Sequence, residues 1–466
     1  MRAVDRREHA PSILVAALSS AFGVALLQIT GLLAAAIRAA PGTGGSDMVG
    51  VMLSIVALVF VAIAVYVGAI VTANTFATIV AGRARTIALL RLIGASAVAQ
   101  RRAVAREGLA VGIVGGLLGA VVGTLAALGL AGLARGAGWL PEISYSWIDP
   151  VVLVPVAAVV LTTWLASWIG SRRVLSVTPL QALGGAQELS REEAVQRPVR
   201  NRVAIALFAL GTLLLAAGVL VGLVNPLGVL IGVVGGILSF SGLVLGAHLV
   251  MPPALRLVGR LLGRGPAARL AAENALRYPE RSARTTIGVV IGVTLVTMFG
   301  VAIASFENII AAARAEQPDV YQGTDEILAT VTLVFSSLVG FSALIAAVGL
   351  VNNLSLSVLQ RTRELGLLRA LGFSARQLRN MVRAEAGQLT VAALAVGLLL
   401  GAGYGWAGAQ SLLGSIQGSP GIVVPGIPWI VVGVVVGSAV LLTWIASAAP
   451  ARRATRVSPV TALAVQ

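Results

Sequence analysis

The chain contains no cysteine and no lysine. The first absence excludes disulfides, iron–sulfur clusters and thiolate chemistry. The second excludes a standard Walker A nucleotide site, whose lysine must reach the phosphates, and Schiff-base chemistry on a lysine amine. Histidine is nearly missing too: His9 and His248 lie far apart and offer no metal-ligand spacing. No nucleophile–base triad, carboxylate pair or phosphate-cradling loop appears. The sequence therefore reads as that of a non-enzyme that binds no cofactor or metal of its own. Charge is scarce as well. Only 11% of the 466 residues are charged and 58% are hydrophobic, where a soluble domain has about a quarter charged.

What is abundant is long apolar sequence, with a mean hydropathy of +0.95. A helix needs about 20 apolar residues to cross the hydrocarbon core of a bilayer. Ten stretches qualify, near 13–37, 51–80, 105–134, 148–170, 203–223, 227–250, 285–310, 327–356, 385–413 and 428–448. The first is too long for a signal h-region and no small-residue cleavage site follows it, so it is kept as a span. The expected fold is an all-α integral membrane protein with ten transmembrane helices.

The arginines set its orientation. Of the 34, only Arg38, Arg135 and Arg314 fall on one side; the other 31 fall on the opposite side, in or beside the remaining connections. Positive residues stay cytoplasmic, which puts both termini in the cytoplasm; the arginine excess with abundant Ala, Gly and Val looks like a high-GC bacterial genome, so the expected location is a bacterial cytoplasmic membrane. Asp47, Glu142, Asp149, Glu316, Asp319, Asp325 and Glu326 lie in or beside the outer loops. Trp139, Trp147 and Trp429 fall near outer ends, where interfacial anchors belong. The net charge of +16 is thus explained by topology, and no nucleic-acid partner is expected.

The chain also repeats itself. "RARTIALLRLIGAS" at 83–96 returns as "RTRELGLLRALGFS" at 361–374, with seven of fourteen positions identical, among them Arg83/Arg361, Arg85/Arg363, Leu90/Leu368, Arg91/Arg369 and Gly94/Gly372. Asn74 aligns with Asn352, Arg101 with Arg379 and Glu107 with Glu385. A second signature, "TWLASWIGSRRVLSVTPLQAL" at 163–183, returns as "TWIASAAPARRATRVSPVTAL" at 443–463. The offset is 278 residues at the first signature and 280 at the second. Both copies have the same topology, so this is a parallel duplication. The expected order is a first four-span unit at 1–185, a cytoplasmic linker at 186–202 and a central two-helix hairpin at 203–250. A cytoplasmic amphipathic segment at 251–284 and a second four-span unit at 285–466 complete it.

Helical spacing in the second copy puts Leu367, Leu368 and Leu371 on one side and Arg363 and Arg369 largely opposite. Two readings stand for this cytoplasmic phrase: an interfacial helix lying under the lipid headgroups, or a docking helix for a cytoplasmic partner. Glycines recur every fourth residue at Gly115, Gly119 and Gly123, at Gly228, Gly232 and Gly236, and at Gly397, Gly401 and Gly405. Such stripes let helix backbones approach, within one chain or between chains. Glu307 is the most membrane-embedded carboxylate, and intramembrane acids are candidate functional groups. It lies near an outer end beside Asn308 and Arg314, where snorkelling also accounts for it. With Asn74 and Asn352 it is a candidate substrate or helix-pairing contact.

"RTRELGLLRALGFSARQL", "ARRATRVSPVTAL" and "NALRYPERSARTTIGVVIG" (274–292) together resemble the FtsX-like permeases, the membrane subunits of MacB-type, or type VII, ABC transporters. The resemblance covers both four-span units and leaves the central hairpin outside. It implies a separate cytoplasmic ABC ATPase, with ATP and Mg bound there, and two copies of it per chain because there are two phrases. It also implies mechanotransmission, in which ATPase closure tilts the long spans. By position, the ATPase-coupling residues are then Arg83, Arg85, Leu89, Leu90, Arg91, Ile93 and Gly94, with Arg361, Arg363, Glu364, Leu367, Leu368, Arg369, Leu371 and Gly372 in the second copy. The copies differ where Glu364 and Gly366 stand opposite Thr86 and Ala88. The large extracytoplasmic domain of many members has no counterpart, since the corresponding loops are only 38–50 and 311–326. The implied activity is ATP-driven extrusion of a lipophilic or amphipathic compound such as an antibiotic, peptide or lipid. The alternative is a transmitter that activates an extracellular cell-wall hydrolase without transport.

Overall fold

The computed structural model describes residues 3–39, 94–136, 145–147, 149–171, 198–261, 279–319, 374–416, 419 and 421–441, with Leu89, Leu90, Glu273 and scattered positions between 55 and 73. Among these every regular element is helical. The helices are α1 (Ala3–Ala39), α2 (Ala97–Gly136), α3 (Leu153–Gly170), α4 (Pro198–Gly222), α5 (Gly228–Leu245), α6 (Ala247–Leu261), α7 (Pro279–Glu316) and α8 (Ala375–Leu413), with α9 at Trp429–Leu441. Among the described residues, seven apolar segments are long enough to span a bilayer: Ser12–Leu32, Ala97–Gly136, Pro150–Gly170, Val199–Gly222, Gly228–Leu245, Thr286–Glu316 and Arg383–Leu413. The chain is a multi-pass membrane protein. The expected spans at 51–80 and 327–356 lie largely or wholly outside the described residues.

The chain divides into two compact units, Met1–Gln187 with Pro318–Val348, and Glu188–Gln317 with Gly349–Gln466. In the first unit, α2 is packed on two sides through two different glycine stripes. Gly115, Gly119 and Gly123 lie against Ala16, Ala17, Ser20 and Ala21 of α1, and Ser20 Oγ donates to the Gly116 carbonyl at 2.8 Å. Gly108, Gly112 and Gly116 lie against Ser167, Thr163, Val160 and Val156 of α3. Lipid tails are as apolar as leucine, so no hydrophobic force joins these helices. Close van der Waals contact does, and only glycine permits it here.

The second unit repeats the device. Gly397, Gly401 and Gly405 of α8 press on Val293, Thr294, Thr297, Met298 and Ala302 of α7. These stripes therefore serve packing within the chain. The most buried helix of each unit is α1 in the first and α7 in the second, with 67% and 78% of their most apolar windows buried, against 22% for α4.

The central hairpin departs from its expected pattern. Gly236 has nothing within 4 Å, and the α4 contact runs through Gly228, Gly235 and Gly242 instead. Their seven-residue spacing keeps one line of glycines on a closely paired neighbour, because two helical turns take about seven residues. Gly211 and Gly218 of α4 meet that line. The stretch 227–250 is also not one helix. It is interrupted at Gly246, after which α6 begins. Met251, Leu255 and Val258 of α6 are buried, and α6 packs against α7 and α8. His248 Nε2 pairs with Asn201 Oδ1 at 2.8 Å, tying the start of α6 to the start of α4. The hairpin is fastened to α8 by Ser239 Oγ, 2.9 Å from Tyr404 Oη, and by close approach of Gly222 to the Ser411 backbone.

Candidate functional site

The first copy of the repeated phrase ends in an elbow whose geometry explains its two most informative residues. Gly94 has φ +100°, a left-handed conformation that costs other residues about 1–2 kcal/mol. The Ala95 N–H donates to the Leu90 carbonyl at 2.9 Å, spanning five residues. That bond and the left-handed glycine make a Schellman helix end, with Gly94 just past the last helical residue. Two residues later Ser96 Oγ accepts the Ala99 N–H at 3.1 Å and starts α2. The 40-residue α2 begins at Ala97, three residues after Gly94.

The second copy shows the same start. Ser374 Oγ accepts the Gln377 N–H at 3.2 Å, and the Ser374 N–H donates to Gln377 Oε1 at 2.9 Å, a full capping box at the head of the 39-residue α8. At 1.5 Å per residue the two helices are about 60 Å long, roughly twice the hydrocarbon thickness.

Of the expected coupling residues, the structure describes Leu89, Leu90 and Gly94. Leu89 is helical and 51% exposed, as a docking leucine must be before its partner arrives. Arg83, Arg85, Arg91 and Ile93, and Arg361, Arg363, Glu364, Leu367, Leu368, Arg369, Leu371 and Gly372, lie outside the described residues, as do Asn74 and Asn352. Glu307 is exposed on α7. Glu385 is buried on α8, whereas its repeat partner Glu107 is half-buried.

Several contacts along the levers escape sequence reasoning. The Arg101 guanidinium stacks 3.9 Å over the Trp168 ring, clamping the start of α2 to the end of α3. At the far end, Gln28 Nε2 donates to Thr124 Oγ1 at 3.2 Å and to the Trp147 carbonyl at 3.0 Å. Tyr145 covers Gly31 and meets Trp147 edge-on at 5.1 Å. Burial, with the Asp149 carboxylate nearby, pushes the Tyr145 phenol above its ordinary pKa. In the second unit Ser305 plays the part of Gln28, accepting the Gly426 N–H at 3.1 Å. Both central helices thus hold the backbone that leads into the last helix of their unit. A lone Gln or Ser in an apolar run signals a buried hydrogen bond, but the sequence does not say to what.

The elbow carries a prediction. Gly94→Ala and Ser96→Ala should each cost about 1 kcal/mol locally. A partner bound through the phrase should still copurify with these variants while its ATP hydrolysis becomes uncoupled from the membrane chain. Loss of copurification with unchanged coupling would show that the elbow is a contact and not a joint.

One family profile, FtsX-like permease C-terminal, matches the chain twice, at residues 58–179 and 336–459. The two matches begin 278 residues apart and end 280 apart, the same offsets as the repeated signatures. The chain is also 32% identical over 145 residues to the protein named Uncharacterized ABC transporter permease YknZ from Bacillus subtilis (strain 168), an alignment covering 31% of this chain and 34% of that protein. It is 27% identical over 146 residues to the Macrolide export ATP-binding/permease protein MacB from Bdellovibrio bacteriovorus, covering 31% of this chain and 21% of that protein. The chain thus spans about a third and a fifth of the lengths of these two relatives. With one profile matched on both repeats and over more than half of its residues, the chain belongs to the FtsX-like permease family.

Proposed function

We propose that this chain is the membrane subunit through which a separate cytoplasmic ABC ATPase drives extrusion of a lipophilic or amphipathic compound. The observation that carries the reading is the elbow: Gly94 and Ser96 make a tight turn between helical Leu89 and Leu90, of which Leu89 is exposed, and the start of α2. A docked ATPase moves the phrase, the phrase moves α2 or α8, and the glycine seams carry that motion to α1 or α7. ATP and Mg reside on the partner, since the chain has no lysine for a Walker A site. The two phrases call for two ATPase subunits per chain, with the arginine-rich face and both termini in the cytoplasm. The coupling residues are those of 83–94 and 361–372 named above; Glu307, Asn74 and Asn352 remain candidates for substrate or helix contact. A relative named for macrolide export supports a lipophilic cargo, as do the short outer loops.

The test is isolation of the full chain from its native membrane, with identification of the proteins and small molecules that copurify. An ABC ATPase and a bound lipophilic compound are the expected companions. A secreted cell-wall hydrolase in the same complex, with no bound compound, would replace export by signalling.

A further inference from the structure

At the end of α8 opposite the coupling phrase, the chain folds back along the helices as an extended segment whose polar backbone points inward. Gln410 Nε2 donates to the Gly421 carbonyl at 2.7 Å, and Gln410 Oε1 accepts the Val423 N–H at 3.1 Å. Trp406 Nε1 donates to the Val423 carbonyl at 2.7 Å. Ser305 holds the Gly426 N–H, as above. Pro425 and Pro428 have no N–H to satisfy.

The apolar side chains point the other way. Ile422 is 62% exposed, Val424 79%, Trp429 74% and Ile430 84%. No charged residue occurs between Glu385 and Arg452, so this loop has none, whereas its counterpart at 137–149 carries Glu142 and Asp149. Its level in the membrane follows from Ser305, which stands eleven residues before the end of α7, about 16 Å below it. Exposed Glu307 lies half a turn further out, and a carboxylate snorkelling from there would reach the headgroup level.

We propose that residues 421–430 form an apolar wedge lying in the lipid leaflet at the headgroup–acyl boundary, on the side opposite the coupling phrases. Irregular backbone at membrane depth needs partners for its polar groups within the protein, and here side chains from α7 and α8 supply them to the Gly421 and Val423 carbonyls and to the Val423 and Gly426 N–H groups. Because the wedge is bonded to Trp406 and Gln410, it moves with α8 and disturbs the leaflet into which it dips. A water-exposed loop has no need to turn its amides inward. A protein-docking loop gains specificity from charge, which is missing here.

The absence of cysteine permits clean single-cysteine labels on the full chain. Val424→Cys, carrying a polarity-sensitive fluorophore, is compared in phosphatidylcholine–phosphatidylglycerol vesicles with Leu399→Cys on the exposed face of α8 and Ala315→Cys at the exposed end of α7. The expected result is quenching by nitroxide-labelled lipid at least about twofold greater than at position 315, as for an interfacial segment, with protection from aqueous iodide. Iodide quenching equal to that at position 315 would overturn the wedge. So would blue-shifted emission insensitive to both quenchers, which would mean that protein covers the loop. No ATPase takes part, so the result is separate from the fate of the export reading.

Discussion

Replacing Leu367 and Leu371 together by alanine is expected to abolish membrane-coupled ATP hydrolysis while leaving the chain folded and inserted. Helical spacing would put both leucines on one face of the second phrase. Leu89, the first-copy counterpart of Leu367, is half exposed, so truncation at that position of the phrase is expected to remove no core. On the proposed docking each leucine would fill a groove of the partner, and truncating a buried leucine costs about 2–5 kcal/mol. Even one step of 1.4 kcal/mol is about tenfold in binding, so the pair should weaken docking by more than about 100-fold. Leu89→Ala with Ile93→Ala should hurt less, because Thr86 replaces the acidic Glu364 in that copy. The measurement is ATPase activity in reconstituted membranes, with copurification of the partner. Unchanged activity and copurification in the 367/371 variant would exclude docking and leave the phrase as an interfacial helix. Equal damage from both pairs would remove only the asymmetry.

Gly401→Val is expected to unfold the second unit, and Gly119→Val the first. A Cβ at Gly401 would sit 2.6 Å from Thr297 Cβ and 2.7 Å from the Thr294 carbonyl oxygen. At Gly119 it would run into the Ala17 carbonyl and come within 2.6 Å of Ser20 Cβ. The obstruction at both sites includes backbone, which cannot rotate away, so the helices must separate. Overpacking a core costs about 1–3 kcal/mol, and loss of the seam's close contacts adds to that. The controls sit on the same helices. Gly403→Val and Gly129→Val meet nothing within 4 Å and should stay within about 0.5 kcal/mol of the parent, as open surface sites do. Thermal unfolding in detergent separates the two classes. Equal destabilisation of all four would deny the seams their role.

These seams show what a sequence can and cannot disclose. The four-residue stripes at 115–123 and 397–405 were legible because glycine is too permissive to be repeated without a packing reason. Which helix each stripe meets was not, since α2 carries two stripes with two partners. In the hairpin the same rule misled: Gly236 completes a four-residue spacing but faces open space, and Gly235 makes the contact. The closing serines were visible as matched letters, and only the structure shows that Ser96 and Ser374 start helices. The wedge was hidden because its cause is distant: Ser305 and Gly426 are 121 residues apart. Hydropathy registered its apolar side chains without showing where its amides turn.

The central claim, that one chain with two coupling phrases is driven by a separate ATPase, is tested most directly by the native mass of the intact complex released from the membrane. The account predicts one copy of this chain with two ATPase subunits. An assembly of two chains with two ATPases would show that one phrase per chain is idle, and a chain that carries no ATPase at all would contradict the account outright.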